Sequence, residues 1–279
     1  MVRRLLLTGA GGFIGRHLPG LLSAQGFEVH AIGRQQVDLL DAGATDSLVA
    51  EAGASHLLHL AWYTEHGKFW EAPENRDWAE ATLRLARSFR AAGGERIVAA
   101  GTCAEYEPST LYATTKDATR RKLEAFAAEA GFSFAWGRVF FPYGPGERPQ
   151  RVVAAAARAA VTGEPLACTS GEQIRDFLYV EDVAAAFTAL VDSDATGSFD
   201  IGSGEGVPLR DVLLALEQLA GRQNVVRLGA LPDRDEPASI VADTRRLRDE
   251  VGWRPSVELR EGLERTLEWW REAILAPRS

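Results

Sequence analysis

The chain has 279 residues, of which 46% are hydrophobic and 25% charged, with 39 acidic against 31 basic side chains and a formal net charge of −8. This is ordinary globular composition, long enough for one large domain or a domain plus a smaller lobe. The acidic balance and the lack of any basic block exclude a nucleic-acid surface. Two cysteines, Cys103 and Cys168, and five scattered histidines show no metal-ligand spacing, so no metal is expected and the thiols read as those of a reduced, cytoplasmic protein. The apolar run Leu5–Leu7 is too short for a secretory leader. No stretch approaches the ~20 apolar residues of a membrane span.

In chain order, residues 3–8 read as a strand, 13–24 as a helix and 27–32 as a second strand. Residues 55–61 and 95–100 are further β-like runs, 78–92 and 114–130 are helical, and 132–139 closes the series. Alternating strands and helices predict an α/β fold, a Rossmann-type doubly wound parallel sheet. Pro19-Gly20 falls inside the first predicted helix and is expected to kink it. After Arg138 the pattern changes to a Pro- and Gly-rich loop at 142–150, an alanine-rich helix at 152–161, a helix at 181–191 and a short strand at 198–201. Leu259, Leu263, Leu267 and Trp270 recur at helical spacing, and the pair Trp269-Trp270 reads as core packing rather than ligand stacking. The expected division is residues 1–140 as the dinucleotide-binding domain, completed by returning segments near 176–202, and 141–279 as mainly a smaller C-terminal α/β substrate lobe.

Thr8-Gly9-Ala10-Gly11-Gly12-Phe13-Ile14-Gly15 directly follows the first strand. Gly9 permits a tight turn, Gly12 lets the backbone approach a pyrophosphate, and Gly15 allows close helix–strand packing, while free amides at the helix start hold the anion. Position matters more than the glycines themselves, because the run stands within a strand–turn–helix context. The second strand ends Ala31-Ile32-Gly33-Arg34. An acidic residue there would bond the ribose 2′-hydroxyl of NAD. Gly33 removes it, and Arg34 can meet the 2′-phosphate of NADP(H), the alternative being an ordinary surface arginine. Asp38 and Leu39 would suit the adenine amine and ring.

Tyr112 and Lys116 stand four residues apart on one helix face. A nearby ammonium favours tyrosinate, which makes Tyr112 a usable general acid for a carbonyl oxygen. Thr102 lies at the carboxyl end of the run 95–100, where open α/β sheets place ligands, and can offer a second hydroxyl to the same oxygen or bond its own backbone.

Together these residues resemble the extended short-chain dehydrogenase/reductase family, in its NAD(P)-dependent epimerase/dehydratase branch. The motifs are 8–15, Leu60-Ala61, Thr102 with Tyr106, Tyr112 with Lys116, 138–145, 175–183, 199–204, and Ala242-Asp243-Thr244 with Gly252-Trp253-Arg254-Pro255. The resemblance implies a nucleotide-linked sugar as substrate, with Arg175 and Arg234 where relatives hold the pyrophosphate or the base. Arg175 could instead form an ion pair with Asp176 or Glu181, and Arg234 one with its acidic neighbours. It also implies cofactor contacts from Gly9, Gly12, Phe13, Ile14, Gly15, Leu60, Ala61 and Trp62, and substrate contacts from Tyr63, Thr64, Cys103 and Phe141. His66 reads as a surface loop residue. A homodimer is implied too, through the Tyr112 helix and the helix preceding the strand 95–100.

The reaction is narrowed by what is absent. The family's 4,6-dehydratases carry an Asp-Glu pair after the catalytic hydroxyl, and here Cys103-Ala104 stands there. The cysteine of the dual epimerase-reductases belongs at position 104 and is one place off. A 4-ketoreductase or a 4-epimerase remains. Arg34 favours NADPH and hence net reduction, with Tyr112 protonating the oxygen, Lys116 tuning Tyr112 and binding the ribose, and Thr102 steadying developing charge. A short Tyr106–Tyr112 connection and Phe141 in place of an Asn depart from the family pattern and concern the sugar-nucleotide side. A non-catalytic NADP(H) sensor or scaffold and a reductase of small non-nucleotide carbonyls are the rivals.

Overall fold

A computed structural model describes residues 2–275. The chain divides into two compact units. The first holds the residues up to Val139, with Val183–Ile201 and Arg245–Trp253 returning to it. The second holds Phe140–Asp182, Gly202–Thr244 and the chain from Arg254 onward.

The first unit is built on a six-stranded sheet. Its strands are β1 (Arg3–Thr8), β2 (Phe27–Ile32), β3 (His56–His59), β4 (Arg96–Thr102) and β5 (Ser133–Val139), joined by the strand Gly197–Ile201. All pairings are parallel, in the order Gly197–Ile201, β5, β4, β3, β1, β2. The order reverses between β1 and β3, which is the switch point where such sheets open a ligand crevice. Helices α1 (Leu18–Ala24), α2 (Ala42–Ala52), α3 (Glu74–Ala91) and α4 (Leu111–Ala130) connect the strands. One core cluster joins Leu6, Leu57, Ile97 and Trp136 of the strands to Leu48, Leu85, Phe89 and Leu123 of the helices. Strands covered on both faces read as continuous apolar runs, and Leu5-Leu6-Leu7, all fully buried, is such a run.

Two helices in the first 140 residues differ from the sequence expectation, and the helix Leu209–Leu219 of the second unit has no counterpart in it. The first helix does not begin at Phe13: a 3-10 turn covers Gly15–His17, and α1 starts at Leu18. Pro19 therefore stands in the first helical turn, where the missing N–H has no intrahelical partner to lose, and no kink follows. Helix α2 lies in a stretch that hydrophobic pattern left unassigned. Its ends are local: the Asp41 carboxylate accepts from Ala44 N at 2.9 Å, and Gly53 closes it with φ +49°. Helix α4 has the same punctuation, with Thr110 accepting from Ala113 N at its start and Gly131 at φ +64° at its end.

The second unit packs the helices Val152–Thr162, Leu209–Leu219 and Leu259–Leu275 around Leu213, Leu216, Leu263, Leu267 and Trp270. Its strands are two or three residues long, among them Ile174–Arg175 between Val207–Pro208 and Ser239–Ile240. Two buried aspartates tie its loops. Asp176 accepts from the amides of Ser203, Gly204 and Ala242 and from the Ser203 hydroxyl, at 2.6–3.1 Å. Asp182 accepts from the Ser256 and Val257 amides and the Ser256 hydroxyl. No described helix is long and apolar enough to cross a membrane. Among the described residues no group of three or more His, Cys, Asp or Glu could hold a metal ion.

Candidate active site

The glycine loop runs from the end of β1 into the 3-10 turn. Gly9 has φ +79°, and a Cβ there would stand 2.8 Å from Ala61 N, so the turn and the approach to the chain after β3 both require glycine. A Cβ on Gly15 would stand 2.1 Å from the Gly9 carbonyl oxygen, which makes Gly15 the residue that lets the turn fold under the loop. Gly11 and Gly12 are exposed, Phe13 and Ile14 half-buried. The loop thus offers open backbone at the carboxyl edge, next to Leu60 and Ala61.

At the end of β2 the Gly33 amide donates to Gln36 Oε1 at 2.8 Å. Arg34 is exposed and makes no ion pair among the described residues. Asp38 is exposed and one carboxylate oxygen accepts from Leu40 N, while the Leu39 side chain is buried in the core cluster. A guanidinium at the edge and a carboxylate tied into its own turn are what the residues present there.

The chain after β3 forms a half-exposed segment over α4. Trp62 is fixed by donating Nε1–H to Asn75 Oδ1 at 2.8 Å, and the fully buried Asn75 donates in turn to the Phe69 and Ala72 carbonyls. Tyr63 donates to Glu65, and Thr64 and His66 are exposed. Tyr112 N donates to Trp70 O, and the Tyr112 ring meets the rings of Phe69 at 4.9 Å and Trp70 at 5.8 Å edge to face. Trp70, 43% exposed, is the open member of this aromatic trio.

Lys116, one turn along α4 from Tyr112, is buried. Its Nζ donates to Ala100 O at 2.8 Å and lies 3.8 Å over the Trp62 ring and 5.5 Å from that of Trp136. Burial lowers its ammonium to about 7, and the Glu105 carboxylate pulls it back up. Behind it, His59 is held between the hydroxyls of Thr8 and Thr82 and is kept neutral, its pKa driven by burial to about 3. Thr102 ends β4 and caps the 3-10 turn Cys103–Tyr106: its Oγ1 accepts from Ala104 N while its own amide donates to Glu105 Oε1 at 2.8 Å. The hydroxyl hydrogen remains available to a second acceptor. Cys103 is half-buried in that turn.

Sequence reasoning passed over Glu105 and Trp62's partner Asn75. Glu105 carried a readable signal, since Thr102-x-x-Glu105 has the spacing of a capping box. It is buried against Trp136, Arg138 and Arg120. Tyr106 donates to Asp200 at 2.6 Å, and Arg138 reaches the same aspartate.

In the second unit Phe141 is half-buried, with the Arg175 guanidinium 5.6 Å from its ring. Arg175 is 4% exposed and pairs with neither Asp176 nor Glu181 but with Glu236 at 2.7 Å, donating also to the Ile174 and Pro237 carbonyls. It anchors the segment that carries Arg234, which is exposed and makes no ion pair among the described residues.

A six-stranded parallel sheet, a glycine turn at its switch point and a Tyr–Lys pair beside a strand-end hydroxyl define a Rossmann-type protein of the extended short-chain dehydrogenase/reductase kind. The chain belongs to the NAD dependent epimerase/dehydratase family, whose profile matches residues 5–202. It is 26% identical over 297 residues to CDP-abequose synthase of Salmonella typhimurium, covering 94% of this chain and 97% of the relative. It is 25% identical over 302 residues to GDP-6-deoxy-D-mannose reductase of Pseudomonas aeruginosa, covering 98% and 99%. Among solved structures, UDP-glucose 4-epimerase of Thermus thermophilus in complex with NAD superimposes with a TM-score of 0.86 at 26% identity, over 97% of this chain and 99% of that one.

Proposed function

We propose that the protein reduces a keto group on a nucleotide-linked, 6-deoxy sugar with NADPH. Support comes from the Tyr112–Lys116–Thr102 set and from the names of two full-length relatives, a CDP-abequose synthase and a GDP-6-deoxy-D-mannose reductase. The observation that carries the choice of reduction is the end of β2, where Gly33 and the exposed, unpaired Arg34 stand in place of a carboxylate. The open backbone at Gly11–Ile14 and the Arg34 guanidinium would hold the cofactor's phosphates. When bound, NADPH supplies a hydride to the carbonyl carbon. Tyr112 holds the proton for the carbonyl oxygen, Thr102 donates a hydrogen bond to that oxygen as charge develops, and Lys116 keeps positive charge beside the phenol. Trp62 and Leu60-Ala61 are assigned to the cofactor, and Tyr63, Thr64, Cys103 and, in the second unit, Phe141 to the substrate. Arg175 and Arg234 of the second unit are assigned to the nucleotide, and Arg175 also holds, through Glu236, the segment that carries Arg234.

Titration with both cofactors tests the reading. NADPH should bind more tightly than NADH, and Arg34→Asp should weaken NADPH by roughly 1–3 kcal/mol, the range for a charge-assisted bond. Equal or tighter binding of NADH by the unaltered protein would instead favour a 4-epimerase that retains NAD. The protein is further proposed to act as a homodimer through α3 and α4, where Ala118, Ala125 and Ala128 leave exposed small side chains on α4. Sedimentation at micromolar concentration should show twice the mass of the 30.3 kDa chain, and a single 30.3 kDa species would rule the dimer out.

A further inference from the structure

A carboxylate inside a protein is unfavourable unless it is paired and hydrogen-bonded. The Glu105 side chain is 1% exposed and meets three hydrogen-bond donors and a second guanidinium. Thr102 N donates to Oε1 at 2.8 Å, Trp136 Nε1 lies 3.1 and 3.0 Å from the two oxygens, Arg138 Nε donates to Oε2 at 3.2 Å, and Arg120 Nε is 3.7 Å from Oε2. The strand end is shaped to admit it. A Cβ on Gly101 would stand 2.5 Å from Glu105 Oε1 and 2.0 Å from Trp136 Nε1, so only glycine lets this side chain fold back beneath Thr102. The guanidiniums are held from behind: Arg138 also reaches Asp200, and Arg120 reaches Asp117 and Glu124.

Lys116 and this carboxylate share Trp136: the Lys116 Nζ lies 5.5 Å from the ring whose Nε1 donates to Glu105. The surroundings of Lys116 are the Ala100 carbonyl, the rings of Trp62 and Trp136, Tyr112 one turn away, and His59, which burial keeps neutral. Burial pushes the Glu105 carboxyl up, while the Thr102 amide, the Lys116 and Arg138 charges and the Trp136 N–H pull it back toward the carboxylate, which in turn raises the Lys116 ammonium.

Resting on the reductase reading above, we propose that Glu105 is a positioning residue of the active site: clamped by Arg138 and Arg120, its carboxylate fixes the backbone at Thr102 and keeps the charge on Lys116. One side chain thereby couples the two groups that flank the reacting oxygen. Burial alone would strip the ammonium of its proton near neutral pH, and the phenol beside it would lose the charge that favours proton release.

The test is the pH dependence of kcat in Glu105→Gln and Glu105→Asp, each with NADPH and the best-accepted sugar ketone. The amide keeps the shape and an acceptor for Thr102 N while removing the charge. Its alkaline limb should move to lower pH by about one unit, the low end of what a neighbouring charge produces. Above both limbs kcat should then fall about tenfold, with substrate KM within about twofold of the parent. Glu105→Asp withdraws the carboxylate by one methylene and keeps its charge, so its limb should move only part of the way while kcat drops through the lost Thr102 bond. A structural brace alone would lower Tm and leave the limb in place, and a parent limb in Glu105→Gln overturns the proposal. Should the amide variant not fold, a parent limb and parent kcat in Glu105→Asp overturn it equally. Tyr112→Phe, run alongside, separates the two failures. If it is inactive while the Glu105 variants match the parent, only the role of Glu105 falls. If it turns over at the parent rate, the Tyr112 mechanism on which the proposal rests falls, and if the unaltered protein reduces no sugar ketone with NADPH, the reductase reading itself falls.

Discussion

Tyr112→Phe should fold, bind NADPH and lose roughly 10²–10⁴-fold in the rate of single-turnover NADPH oxidation, the contribution of a positioned general acid. The substitution removes one oxygen and keeps everything else that holds the residue. The ring stays edge-on to Phe69 and Trp70, and the main-chain bond from Tyr112 N to Trp70 O is untouched. An unchanged thermal midpoint and unchanged NADPH titration are therefore the controls that make a rate loss chemical. Thr102→Ser should retain most of the activity because the hydroxyl persists. Thr102→Val should not, and it should also cost about 1 kcal/mol of stability, because Oγ1 caps the turn that follows β4. A Tyr112→Phe protein that oxidises NADPH at the parent rate would refute this mechanism, whereas an unaltered protein that binds NADPH and oxidises none with any sugar ketone would leave a non-catalytic NADP(H)-binding protein as the better account.

What the sequence showed of this arrangement follows the range of the interactions involved. The glycine turn, the α4 pair and the strand ends are local features: φ +79° at Gly9 and four-residue spacing between Tyr112 and Lys116 are properties of a few consecutive residues. Helix α2 was also local, yet its caps at Asp41 and Gly53 were outweighed by the weak amphipathic pattern between them. The start of the first helix failed for a related reason, since an apolar run beginning at Phe13 does not reveal that Gly15 must tuck under Gly9 before a helix can form. Depth and long-range partners were not legible at all. Glu105 looks like a turn residue until Trp136 and Arg138, 31 and 33 positions later, close over it. Arg175 reads as a ligand-binding cation or as a partner of Asp176 or Glu181, and its ion pair with Glu236, 61 positions later, is not legible in the spacing. Charged residues inside motifs are the ones whose role sequence leaves open, because spacing fixes their neighbours along the chain and not across it.

Asp176 supplies the largest effect expected on stability. Its side chain is fully buried and holds the turn Ser203-Gly204 and the amide of Ala242 through four hydrogen bonds. A Cβ on Gly202 would stand 2.6 Å from the carboxylate, so the surrounding chain is fitted closely to it. Asp176→Ala takes the acceptor from the buried Ala242 amide and from the part-buried amides of Ser203 and Gly204, while the Ser203 hydroxyl keeps the Glu205 carbonyl, and each orphaned donor costs about 1–3 kcal/mol. The part-buried pair will recover some water, so a loss of about 3 kcal/mol is expected, a large part of the roughly 5–15 kcal/mol that holds a protein folded. Asp176→Asn should be little better. Its carbonyl oxygen can serve part of the set, but its NH2 group is turned toward donors and adds two more that need acceptors. The comparison is Glu172→Ala, which removes an exposed ion pair with Arg210 and should cost no more than about 1 kcal/mol. Thermal midpoints should fall by roughly 6–12 °C in Asp176→Ala, at about 2–4 °C per kcal/mol for a chain of this size, against a few degrees in Glu172→Ala. If the two variants melt together, Asp176 is not the tie that holds these loops.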